Sequence, residues 1–221
     1  MPEKEALLYE KLPDQKVRCQ VCPWRCVIAE GKTGFCRVRE NTGGILYSLI
    51  YNKVSSLAND PIEKKPLYHF HPGSRVFSAG SVGCNFRCKH CQNYSISQVD
   101  PKKSYLQNVT AKQFITMAKK EGCEGVAWTY NEPTIWLEYM LEGAMLAKKA
   151  GLYTVSVTNG YITPEALELI GPYIEAYALD IKGWTKKFAK DICDVPSLDP
   201  VLEAAILMVK KWKAHVEITT N

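Results

Sequence analysis

From Val76 to the end of the 221-residue chain, short stretches that are apolar at nearly every position alternate with amphipathic ones. The extended stretches are VFSAGSV, GVAWTY, LYTVSVT, AYALDIK and HVEITT. Between them lie TAKQFITMAKKEG, in which Phe114, Met117 and Ala118 recur at helical spacing, then PTIWLEYMLEGAMLAKKAG, TPEALELIG and DPVLEAAILMVKKWKA. Pro133 suits a first helical turn and Gly151 a C-terminal stop. Strands without a polar face need cover, and helical crossovers make successive strands parallel, so the rhythm predicts an α/β fold of five strands and four crossovers. Periodicity alone leaves both a barrel and an open sheet standing. In either, functional groups collect at the carboxyl ends of the strands. The unusual polar clusters fall there: a cysteine loop after the first strand, TYNEP after the second, TNG after the third and LDIKG after the fourth.

The first 72 residues break this rhythm. They hold Cys19, Cys22, Cys26 and Cys36, a hairpin whose NTGG turn precedes ILYSLIY, and the linker-like NDPIEKKPLYHFHPGS. Proline and glycine concentrate near His71 to Gly73, which sets the expected boundary between a Cys-rich metal-binding module, 1–72, and a core, 73–221. His69 and His71 would share a face if extended, but no carboxylate adjoins them in sequence, which favours packing and turn roles.

Nine cysteines in a chain read as cytoplasmic point to metal rather than disulfides. The start MPEKEALLYEKL lacks a signal-peptide layout, and no apolar run reaches the roughly 18 residues that span a membrane. The net charge of +5 is spread over short lysine pairs, so neither a membrane nor a nucleic acid is an expected partner. Seven of the nine cysteines fall in two clusters; Cys123 and Cys193 stand apart and read as buried packing residues.

The stretch GCNFRCKHCQN carries Cys84, Cys88 and Cys91 as C-x3-C-x2-C. A four-iron cubane has four corners, so three thiolates leave one iron open, and an open position is where chemistry happens. This loop, placed after a first strand, resembles that of the radical SAM superfamily and covers with its context roughly Val76 to Thr220. The resemblance implies a partial parallel (β/α) barrel, here with about five of six units, and a 4Fe-4S cluster whose open iron takes S-adenosylmethionine (SAM). His90 stands where the family usually has an aromatic residue, and its backbone is the expected adenine contact. TYNEP resembles the family's glycine-glycine-glutamate-proline turn, which gives Asn131 and Glu132 the methionyl amino group. VTNG and LDIK resemble strand ends of glycyl-radical activating enzymes, placing Thr158, Asn159, Asp180 and Lys182 beside SAM, with Val157 in place of an aspartate.

Within the superfamily, YNKVSSLANDPIEKKPLYHFHPGS, CQNYSISQ and CQVCPWRCVIAEGKTGFC resemble the AmmeMemoRadiSam-system branch of pyruvate formate-lyase activating-enzyme homologues. The implied function is reductive cleavage of SAM to a 5'-deoxyadenosyl radical that abstracts hydrogen from a substrate the resemblance leaves unnamed. A one-electron reductant such as flavodoxin or ferredoxin and a protein substrate are the implied partners. The four N-terminal thiolates could close a zinc site or a second iron-sulfur cluster, or hold no metal. Members of the branch continue past HVEITTN, so the chain reads as C-terminally shortened, with an open edge strand. The alternative is therefore a catalytically incomplete, metal-stabilised interaction module.

Overall fold

The computed structural model describes residues 4–220. Its centre is a six-stranded sheet: β1 (Ser56–Pro61), β2 (Arg75–Gly80), β3 (Gly125–Trp128), β4 (Tyr153–Thr158), β5 (Ala176–Ile181) and β6 (His215–Thr220), in the order β6-β5-β4-β3-β2-β1. The five strands expected from the sequence are all present and parallel. Each lies beside its predecessor, so the order never reverses as it does in doubly wound open sheets. The result is an α/β fold with the strand order of a partial barrel, ending on β6, which has β5 as its one strand neighbour among the described residues. Parallel register brings the carboxyl ends of β2 to β5 to one rim.

The crossovers form where their caps dictate. Thr110 starts α1 (Ala111–Lys120) with a capping box to Gln113. Phe114 and Ala118 are buried under the sheet, whereas Met117 turns out to solvent, so the helical stripe is narrower than its apolar letters. A 3-10 turn, Pro133–Trp136, leads into α2 (Leu137–Lys149), and Gly151 at φ +74° follows its end. Thr163 caps α3 (Pro164–Ile170). The fourth crossover holds two helices, α4 (Lys186–Cys193) and α5 (Asp199–Lys210), of which only the second was expected.

β1 is the other departure. It pairs antiparallel with β2 from Ser56↔Gly80 to Pro61↔Arg75, so the proline-glycine stretch at 71–73 lies within the connection of two paired strands. Residues before that point also share the core: Val17, Val38, Leu46 and Ile50 pack in one group with Phe77, Trp128 and Trp136. Two three-stranded antiparallel sheets carry Val17 and Leu46, one with Ile45–Ser48 between Lys4–Glu5 and Arg39–Thr42, the other with Val17–Cys19 between Tyr9–Lys11 and Val27–Ile28. The expected NTGG hairpin is the Arg39–Thr42 and Ile45–Ser48 pair. The buried ion pair of Arg39 with Glu138 (2.8 Å) and the bond from Trp136 Nε1 to Ile50 O (2.7 Å) tie these sheets to α2 and the turn before it. Among the described residues no helix is long and apolar enough to cross a membrane.

Candidate active site

A cleft of about 720 Å³ opens at the carboxyl rim of the sheet. Its walls include Cys84, Cys88, His90 and Cys91 from the loop after β2, Asn131 and Glu132 after β3, Thr158 and Asn159 at the end of β4, and Asp180 and Lys182 around the end of β5. Every residue expected at the cluster loop and the SAM site thus reaches one cavity.

Glu132 is its most constrained member. The side chain is buried, and its oxygens accept from Thr158 Oγ1 (2.6 Å), Asn159 N (2.8 Å) and Thr134 N (2.9 Å). Burial raises the carboxyl's pKa, and these donors pull against it. Asn131 serves a different part of the site: Oδ1 accepts from Ser81 N (2.9 Å) and Nδ2 donates to Gly83 O (3.2 Å), pinning the start of the cysteine loop. Tyr130 adopts a left-handed backbone, φ +71°. That conformation costs a non-glycine residue on the order of 1 kcal/mol. A hydrogen bond from its hydroxyl to Asp60 (2.7 Å) and the Lys65 ammonium 4.7 Å from its ring offset the strain.

The loop itself is held by side chains the sequence did not single out. Asn85 is fully buried; its Oδ1 accepts from Asn159 Nδ2 (2.9 Å), its Nδ2 donates to Tyr161 O (2.8 Å) and its carbonyl accepts from Trp24 Nε1 (2.8 Å). Cys193, read from sequence as a packing residue, packs in one group with Cys88, and its carbonyl accepts from Arg87 N (3.0 Å). Phe86 N donates to Cys84 Sγ (3.3 Å), and Ser97 Oγ lies 3.2 Å from Cys91 Sγ. His90 sits on the cleft wall with its ring 6.2 Å from that of Phe188.

The donor set fits an iron-sulfur cluster that binds as thiolate. Burial, then the Glu132 charge, holds the Cys84 thiol well above its ordinary range, and the Cys193 contact, then burial, raises Cys88. Without a metal these thiols stay protonated, and metal binding releases the protons. Asp180 pairs with Lys182 through Oδ2, while its Oδ1 is buried with no hydrogen-bond partner. An acceptor left over at the cleft wall fits a ligand that brings a donor.

None of the four N-terminal cysteines lines this cleft; they surround a pocket of their own with Trp24, Phe35, Arg39 and Ile135. Among the described residues no three His, Cys, Asp or Glu side chains are gathered closely enough to hold a single metal ion. His69 and His71 part company: His69 pairs with Glu217 (3.2 Å) and His71 stacks on Tyr153 (4.7 Å between centroids).

Comparison with known proteins adds the family. The model of the Radical SAM superfamily matches residues 79–220. The uncharacterized protein MJ0808 of Methanocaldococcus jannaschii is 46% identical over 216 residues, 98% of this chain and 63% of the relative. The uncharacterized protein MJ0674 of the same organism is 25% identical over 198 residues, 87% of this chain and 53% of that one. The chain thus spans between half and two thirds of the length of these curated relatives. Among solved structures, TYW1 with a lysine-pyruvate adduct bound aligns at 17% identity with a TM-score of 0.49, over 74% of this chain and 64% of that one. Streptococcus suis SuiB bound to S-adenosylmethionine aligns at 17% identity with a TM-score of 0.45, over 64% of this chain and 30% of its own.

Proposed function

This chain belongs to the radical SAM superfamily, and on that premise we propose that it cleaves SAM reductively to start hydrogen abstraction from a substrate. The observation that carries the reading is the convergence of three loop thiols and the ends of β3, β4 and β5 on one cleft. Cys84, Cys88 and Cys91 would hold three irons of a 4Fe-4S cluster, leaving the fourth for SAM. When bound, the cluster would supply the single electron, taken from an external reductant, that reductive cleavage of SAM to methionine and a hydrogen-abstracting deoxyadenosyl group requires. The protein's part is to orient the cofactor and exclude water. Glu132, with Thr158 and Asn159 donating to it, supplies a fixed acceptor for the methionyl amino group. Asp180 Oδ1 offers a second acceptor, Lys182 a cation for the carboxylate, and the His90 backbone a contact for the adenine.

The finer reading, an activating enzyme of the AmmeMemoRadiSam branch acting on a protein with flavodoxin or ferredoxin as donor, rests on the sequence resemblance. An interaction module has no use for a buried carboxylate braced across two strand ends, which favours the enzyme. The deciding experiment uses the full-length protein, reconstituted anaerobically and reduced with dithionite. Formation of 5'-deoxyadenosine from SAM, lost when Cys84, Cys88 and Cys91 are replaced by Ala, is the expected result. No product above a cluster-free control would end the proposal.

A further inference from the structure

We propose that Cys19, Cys22, Cys26 and Cys36 hold a second 4Fe-4S cluster, closed to SAM, directly behind the loop of the first. The inference extends the reading of the cleft but is tested independently of it. All four cysteines line one pocket, and Phe35 N donates to Cys26 Sγ there (3.4 Å). Phe86 N donates to Cys84 Sγ in the same way in the first loop (3.3 Å). An amide aimed at sulfur stabilises a thiolate, so a thiol-lined pocket with such a donor is suited to negative charge.

A second observation points the same way. Arg39 is 1% exposed and lies in the wall of this pocket. Its terminal nitrogens are spent on Glu138 and on Ile135 O, but its Nε–H is buried with no acceptor. A buried guanidinium N–H without an acceptor is unfavourable, and a thiolate or inorganic sulfide would supply the acceptor.

The spacing of the thiols chooses between the metals. A tetrahedral zinc with Zn–S bonds of about 2.3 Å draws its four sulfurs to roughly 3.8 Å of one another. No such gathering exists among the described residues, neither here nor at Cys84, Cys88 and Cys91. A cubane needs its ligands apart, one at each iron. Four thiolates fill all four irons, so no corner is left for SAM. The pocket also abuts the loop. Gly83, at φ +89°, brings the residue before Cys84 so close that a Cβ there would lie 3.0 Å from Cys36 O. Cys22 packs in one apolar group with Phe86, against Cys84 and Cys88.

The test uses the full-length protein with Cys84, Cys88 and Cys91 all replaced by Ala, reconstituted without oxygen. Expected are about four irons and four sulfides per chain, almost no zinc, and a dithionite-reduced EPR signal that SAM does not change. One zinc without sulfide, or no metal, overturns the proposal. Should this variant not fold, the reconstituted wild-type protein decides. Two reduced-cluster signals, one shifted by SAM and one indifferent, support it, and a single responsive signal overturns it. If instead the triple variant retains all the iron of the wild type, the cleft reading fails while the second site stands.

Discussion

Thr158 Oγ1 donates to Glu132 Oε1 at 2.6 Å, joining the ends of β4 and β3 through one buried hydrogen bond. With Thr134 N on the same oxygen and Asn159 N on the other, the bond helps fix the carboxylate in the cleft wall. Thr158→Val keeps the shape of the side chain and removes the donor. Losing one hydrogen bond to a charged group costs about 1.5 kcal/mol, so SAM should bind roughly tenfold more weakly. Cluster iron should stay at the wild-type level, because no cysteine is touched. Equilibrium dialysis with labelled SAM beside an iron assay checks both halves; unchanged SAM affinity would remove Glu132 from the amine site.

Gly83 gives a second prediction, on stability. Its φ of +89° excludes a relaxed side chain, and a Cβ would stand 2.6 Å from Val38 Cγ1. Gly83→Ala should cost about 2 kcal/mol through strain and overpacking, lowering Tm by about 6 °C for a chain of this size. Gly122, at φ +67° with open space around it, is the control. Gly122→Ala should cost no more than about 1 kcal/mol, because it carries the backbone penalty alone. Equal shifts in the two melting curves would mean that the contact with Val38 and Cys36 is not a tight one.

What could be read in advance was what local chemistry decides. β2 to β5 were legible because strands covered on both faces are apolar throughout, and the rim was legible because polar residues interrupt them at the same end. β1 was hidden because SLANDP carries Asn, Asp and Pro, whose place in a strand is settled by distant partners. Asp60 alone takes bonds from Lys64 (2.7 Å), Lys65 (2.6 Å) and Tyr130 (2.7 Å). α4 was hidden because KKFAKDIC is short and largely polar. Asn85 carries no signal of its own beside Cys84, because only the fold brings Asn159, Tyr161 and Trp24 around it. His69 had no carboxylate in sequence, because its partner Glu217 lies 148 residues away.

That same Glu217 makes stability depend on pH. Burial alone would raise its pKa, but the amides of Tyr68 and His69 and the rings of His215 and His69 outweigh burial and lower it from 4.5 to about 2. A carboxyl depressed by folding stabilises the native state above its unfolded pKa, and that contribution fades as pH falls toward the folded value. The affected window is therefore about pH 4.5 down to 2. The wild-type protein should lose on the order of 2 kcal/mol from this group between pH 6 and 3. Glu217→Gln should be less stable at pH 6 and show a shallower acid limb. Urea denaturation at a series of pH values measures the slope, and parallel limbs in the two proteins would contradict the assignment.

Asp180 provides the last prediction, because it separates ligand binding from cluster assembly. Its Oδ2 is occupied by Lys182, and its Oδ1 is buried in the cleft region with no donor. An unpaired buried acceptor costs the free protein something and returns it only when a donor arrives. If SAM brings that donor, Asp180→Ala has little to lose in the free state: Lys182, already in part exposed, turns to solvent, and stability should change by less than about 1 kcal/mol. The bound state loses both the bond and a negative charge near a cationic cofactor, so SAM affinity should fall roughly tenfold or more. Iron and sulfide content should not move, since the side chain's hydrogen bond goes to Lys182 and not to a cysteine. Lys182→Met should weaken SAM as well, through loss of the cation for its carboxylate. The EPR shift of the reduced cluster on adding SAM gives the readout in each variant. A full shift at wild-type SAM concentrations in Asp180→Ala would show that Oδ1 waits for some other partner.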